Sequence, residues 1–156
     1  MGVRRVVTGV DEQGRSTFLS DGDAFGGDQW AEVWMTDPKD GLGAVVDPKL
    51  GIEVLEPPAG GTVWRVFTCP PDAQMREAMA NAAAEGRKGI EADGFHTTET
   101  VDYVMVLDGE ISLELDTGEV TLNPGDCVVQ RNTRHAWRNR TDKPVKMMAV
   151  MVSLRS

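Results

Sequence analysis

Apolar and polar residues alternate with a period of two along much of this chain, and turn-forming residues cut the alternation at short intervals. Arg4 to Thr8 and Ser16 to Ser20 read as two strands joined by the turn Asp11-Glu12-Gln13-Gly14, and Gln29 to Met35 as a third. Thr36 to Gly51 and Pro57-Pro58-Ala59-Gly60-Gly61 are rich in breakers and read as loops around the strand Thr62 to Thr68. The densest run of strand signals lies between Gly94 and Asn139. Val101 to Leu107 is apolar on both faces and ends at Asp108-Gly109, a pair that tolerates positive φ and predicts a hairpin with the strand after it. In that strand Ile111, Leu113 and Leu115 alternate with Ser112, Glu114 and Asp116. Glu119 to Leu122, Cys127 to Gln130, Ala136 to Arg140 and Val145 to Val152 follow, separated by Thr117-Gly118, Asn123-Pro124-Gly125-Asp126 and Asp142-Lys143-Pro144. Short strands in this rhythm predict an all-β chain folded as an antiparallel barrel or sandwich.

One stretch breaks the period. After Pro70-Pro71, the run Asp72 to Ala80 is built of helix formers and predicts a single short helix within 71–86, with Met75, Ala78, Met79 and Ala82 as its packing stripe. Gly86 to Gly94 reads as a mixed-charge approach to His96. The organisation expected is one domain over 1–156, with N-terminal strands and loops in 1–70, the helix in 71–86 and the strand-rich core in 94–152.

Sixteen Lys and Arg against twenty-five Asp and Glu leave a net charge of −9, which argues against nucleic acid or an anionic membrane as partner. Two cysteines, Cys69 and Cys127, are too few for a disulfide framework and suit reduced thiols in the cytoplasm. No apolar window is long enough to span a bilayer, and no secretory leader is read at the start.

The candidate chemistry gathers around the two histidines. On an extended strand His96, Thr98, Thr100 and Asp102 share a face, and His135 shares one with Trp137 and Asn139. Two imidazoles and a carboxylate converging in a barrel would suit iron, zinc, manganese or nickel with positions left open. Tyr103 and Trp137 are candidates for an apolar pocket wall, and Arg131 is the first choice in the basic cluster Arg131, Arg134, Arg138 and Arg140 for meeting a substrate carboxylate.

The stretch from Gly94 onward resembles the cupin superfamily. His96 and Gly109 match the first histidine and the closing glycine of the first cupin motif, while Thr98 stands where a second histidine is usual and Asp102 where a glutamate is usual. Pro124-Gly125-Asp126, His135 and Asn139 match the second motif, with Gln130 to Arg134 replacing its common proline- and glycine-rich run. The resemblance covers about residues 94 to 152 and implies an antiparallel jelly-roll β-barrel, with the N-terminal strands as an extension that completes it. Carried over residue by residue, it implies a divalent metal held by His96, Asp102 and His135, and pairing of two copies into a homodimer. The function it implies is a small metal-dependent enzyme, a decarboxylase, isomerase, dehydratase or dioxygenase, acting on a small organic acid, carbonyl or aromatic compound. The alternative is a non-catalytic module that binds a small ligand and has lost the metal.

Overall fold

The computed structural model describes residues 2–41, 55–84, 91 and 93–155. Ten strands and one helix are present among them: β1 (Arg4–Val10), β2 (Ser16–Asp23), β3 (Trp30–Thr36), β4 (Thr62–Cys69), α1 (Asp72–Ala84), β5 (Thr100–Asp108), β6 (Ile111–Leu115), β7 (Gly118–Leu122), β8 (Cys127–Arg131), β9 (His135–Arg138) and β10 (Val145–Ser153). Each predicted strand and the helix is found within a few residues of its expected ends. Residues 42–51 of the first loop, 86–90 of the approach to His96 and the side chains of Ala78, Met79 and Ala82 lie outside the described residues.

All pairings are antiparallel. β3-β4-β10-β5-β8 form a five-stranded sheet, β7-β6-β9 a three-stranded one, and β1-β2 a separate hairpin. The two larger sheets face each other: Val104, Val106, Val145, Met147 and Met151 from one meet Ile111, Leu113 and Leu122 from the other in a single apolar cluster. This is the expected all-β jelly-roll, built as two facing sheets with open edges. Strict alternation makes it possible, since β10 buries Val145, Met147, Ala149, Met151 and Ser153 and leaves every residue between them partly exposed.

Two expectations are corrected. Asp108-Gly109 does not close a hairpin, because β5 pairs with β10 and β8 whereas β6 pairs with β7 and β9. Gly109, at φ +84°, instead carries the chain from one sheet to the other, with Val145 packed against it. A local turn signal does not say which strands will pair, and here the apolar faces of β5 and β6 are buried by facing each other across the core. The N-terminal strands are also divided. β3 and β4 extend the large sheet, while β1 and β2 stand as a ribbon whose base, through Val3, packs on Ala24, Ala31, Val33 and Val66.

The helix is fixed at its N-terminus. Asp72 N–H donates to the Asn139 carbonyl at 2.8 Å, and Asn139 N–H donates back to Asp72 Oδ1 at 2.8 Å. The buried Asn139 amide also donates to the carbonyls of Cys69 and Lys143, tying β4, α1 and the end of β9 together. Among the described residues no helix is long and apolar enough to cross a membrane.

Candidate functional site

His96 lies just before β5 and His135 opens β9, and the two are joined by an isolated antiparallel bridge. Each backbone N–H donates to the other's carbonyl at 3.0 Å, so the side chains emerge on the same side. The rings sit 4.2 Å apart between centroids and are tilted by 53°. His96 Nδ1 bonds the Gly94 carbonyl at 3.2 Å, and His135 Nδ1 bonds the Thr133 carbonyl at 2.8 Å. A carbonyl only accepts, so both Nδ1 atoms carry the proton and both Nε2 atoms keep a bare lone pair. Burial, joined by the neighbouring His135, pushes His96 down to about 4, and burial lowers His135 as well. Both rings are therefore uncharged at neutral pH.

The parity expected before β5 is observed: Thr98, Thr100 and Asp102 are buried, and Thr97 and Glu99 are exposed. Thr100 Oγ1 donates to Thr98 Oγ1 at 2.8 Å. Asp102 is 6% exposed, its Oδ1 has no hydrogen-bond partner, and burial raises its pKa against the opposing pull of the Thr100 hydroxyl, His96 and Arg65. Behind it, Arg65 Nε donates to both oxygens of Glu32 at 2.9 and 3.0 Å, with both side chains fully buried. Trp30 Nε1 donates to Glu32 Oε1 at 2.9 Å, and Arg65 Nη1 reaches Met151 Sδ at 3.3 Å and the Leu55 carbonyl.

The expected donor set for a divalent ion divides. His96 and His135 bring two nitrogens together, but among the described residues no three histidine, cysteine, aspartate or glutamate side chains gather closely enough to hold one ion. An aspartate is a methylene shorter than the glutamate usual at position 102, and the Thr98 hydroxyl stands where an imidazole is usual. As placed, these donors do not fit a resident metal.

Of the pocket candidates, Trp137 lies nearest the histidines. It packs against the core cluster, stands edge-on to His135 at 6.0 Å between centroids, and lines a cavity of about 330 Å³ with Asp72, Met75, Arg76, Asp93, Arg138 and Arg140. Tyr103 and Arg131 do not reach the site. Tyr103 is 53% exposed and Arg131 is exposed, both on the outer face of the large sheet. The reason is the pleat: with Asp102 and its register partner Gln130 turned inward, the adjacent residues on β5 and β8 turn outward. The rest of the basic cluster is spent on ion pairs. Arg134 holds Glu91 and Asp116 and stacks on Phe95 at 3.9 Å, Arg138 holds Glu114, and Arg140 holds Glu119.

Gln130, Glu32 and Arg65 were missed by the sequence reading. Gln130 is 4% exposed, donates through Nε2 to the Thr133 carbonyl at 3.4 Å, and leaves Oε1 without a partner. The signal was available, because Gln130 shares its parity with the inward Val128.

The cupin domain family model matches residues 84–151. The chain is 60% identical over 76 residues to phomopsin biosynthesis cluster protein C' of Diaporthe leptostromiformis, a match covering 48% of this chain and 40% of that protein. It is 30% identical over 86 residues to a cupin-domain-containing oxidoreductase of Aspergillus ruber, covering 53% of this chain and 42% of that protein. The chain thus spans less than half the length of these curated relatives. Among solved structures, a cupin 2 conserved barrel domain protein from Salinispora arenicola aligns with a TM-score of 0.42 at 19% identity, over 59% of this chain and 63% of that one. The family match falls on β5 to β10, the strands on which the site is built, and this part of the chain is a cupin domain.

Proposed function

We propose that this chain is a small-molecule enzyme of the cupin type whose reacting groups are the paired imidazoles of His96 and His135. The observation that carries this reading is the pinning of both Nδ1–H groups to backbone carbonyls, which leaves an unprotonated Nε2 on each of two neighbouring, partly buried rings. The chemistry they supply is proton transfer. A buried site that resists positive charge does not protonate an imidazole on its own. It does tolerate an imidazolium formed together with a new anion, since that pair is neutral as a whole. The substrate fitting this demand is a weak carbon or oxygen acid, such as a carbonyl compound with an adjacent C–H or a phenol. Trp137 supplies the apolar wall beside His135. The relatives named oxidoreductases support an enzyme, and proton transfer is the part of a reaction that we assign to these residues.

The test is deuterium exchange at the C–H groups of pyruvate and hydroxyacetone, followed by proton NMR in heavy water, with His96→Gln and His135→Gln beside the parent. A positioned general base accelerates such a step on the order of 100-fold, and either variant is expected to lose that acceleration. Elemental analysis of the same preparations decides the rival reading. Near-stoichiometric metal that vanishes in both variants would replace proton transfer with an ion-centred site. Exchange no faster than in buffer, without metal, would leave a ligand-binding barrel.

A further inference from the structure

Gln130 and Asp102 face each other on β8 and β5 as direct register partners, both pointing inward. Side chains in that relation have Cβ atoms about 5 Å apart. Each carries a buried oxygen with no hydrogen-bond partner, Oδ1 on Asp102 and Oε1 on Gln130. Such orphans are uncommon, because a buried acceptor left without a donor loses the hydrogen bonds that water would have given it. The Gln130 amide is not free to turn its donor inward, since Nε2 is engaged by the Thr133 carbonyl that also holds His135. Both oxygens therefore present acceptors only, next to the histidine pair.

The charges around them are matched except at one point. Glu32 and Arg65 neutralise each other, Thr98 and Thr100 bond each other, and both imidazoles accept at Nε2. Asp102 makes no ion-pair contact to Arg65, whose Nε is given to Glu32. A hydroxyl group has one hydrogen and cannot serve two acceptors on adjacent strands. A primary amine, bound as an ammonium, has three and can serve both.

We infer that Asp102 and Gln130 form an amine-recognising subsite, and that the substrate of this pocket carries a primary amino group held between Asp102 Oδ1 and Gln130 Oε1. This deepens the reading of the histidine pair and rests on it only for the location of the substrate. An amine held there would fix which end of the molecule faces the imidazoles.

The experiment is an NMR titration of the labelled, full-length protein with benzylamine and with benzyl alcohol, two probes that differ in the amino and hydroxyl groups alone. The parent is expected to bind benzylamine about tenfold more tightly, with shifts at the Gln130 side-chain amide. Asp102→Asn places an amide donor opposite Gln130 Oε1, so this variant is expected to stay folded and to lose the preference. Gln130→Leu is expected to weaken benzylamine binding and leave benzyl alcohol unchanged. Equal binding of the two probes by the parent, no binding of either at millimolar concentration, or a preference that survives in Asp102→Asn would overturn the subsite. His135→Gln separates the two readings, because it is expected to abolish deuterium exchange while keeping the amine preference.

Discussion

Gln130 and His135 hang from one backbone oxygen: the Thr133 carbonyl accepts from His135 Nδ1 at 2.8 Å and from Gln130 Nε2 at 3.4 Å. The turn after β8 thereby orients a strand residue and an imidazole together. Gln130→Ala removes the weaker of the two bonds and is expected to cost about 1 kcal/mol in urea unfolding. It should also speed exchange of the His135 Nδ1–H in long-range nitrogen NMR. An unchanged exchange rate would mean that His135 is held without help from Gln130.

The low pKa of His96 makes stability depend on pH. Burial and the neighbouring His135 push it to about 4, with Asp102 pulling in the opposite direction, whereas in the unfolded chain it titrates near the ordinary imidazole value of 6.5. Between those values the unfolded chain binds the proton and the folded one does not, so stability falls as pH drops through this window and levels off above it. The full difference is worth roughly 3 kcal/mol. His96→Gln removes that contribution, and its urea midpoint at pH 4.5 is expected to lie closer to its midpoint at pH 7 than the parent's does. Equal slopes in the two proteins would place the acid sensitivity elsewhere.

Much of this was legible in the period of two. Every strand was found from alternation and turn residues, because a half-buried sheet imposes that pattern on the sequence itself. Parity also placed His96, Thr98, Thr100 and Asp102 on one inner face. The same rule excluded Tyr103 and Arg131 once Asp102 was taken as inward, yet they were chosen for their chemical type rather than their position. Other features had no local signal. Glu32 and Arg65 pair through β3 and β4, and neither segment alone shows that its charged residue faces the core. The crossing from β5 to β6 was hidden for a related reason: Gly109 serves a tight turn equally well whether the flanking strands pair or part. The division of the donor set was also out of reach, since strand spacing gives the direction of a side chain and not how far it extends.

The Glu32–Arg65 pair predicts an asymmetric response to mutation. Glu32→Ala takes away the carboxylate that meets the buried Arg65 Nε and is expected to destabilise the fold by about 3–5 kcal/mol. It also removes the acceptor of the Trp30 indole N–H. Replacing both members, as Glu32→Met with Arg65→Met, removes both charges and should recover most of that loss in urea unfolding. A double variant as unstable as Glu32→Ala would show that the pair is worth more than its desolvation costs.

Gly109 and Gly14 share a backbone conformation in different surroundings. Gly109 has φ +84° and a Cβ there would meet Val145 Cγ2 at 2.9 Å and its Cα at 3.3 Å, whereas Gly14 has φ +76° and open space. Left-handed backbone costs a non-glycine residue about 1–2 kcal/mol at either position. Only Gly109→Ala adds a collision with the buried start of β10, so its fall in melting temperature is expected to exceed that of Gly14→Ala. Equal falls would mean that Val145 moves aside at little cost.

The outer face of the large sheet carries a further expectation. Trp34, Trp64, Val150, Tyr103 and Val129 lie in one register row across all five strands, and Trp64, Tyr103 and Val129 are exposed. Contiguous apolar surface of this kind commonly marks an interface. Pairing of two copies through this row predicts a particle larger than the 17.0 kDa chain in sedimentation at micromolar concentration. Tyr103→Lys puts a charge within the row, on an exposed side chain of the outer face, and is expected to return the particle to a single chain with deuterium exchange retained. A parent that already sediments as one chain would free this face from any role in self-association.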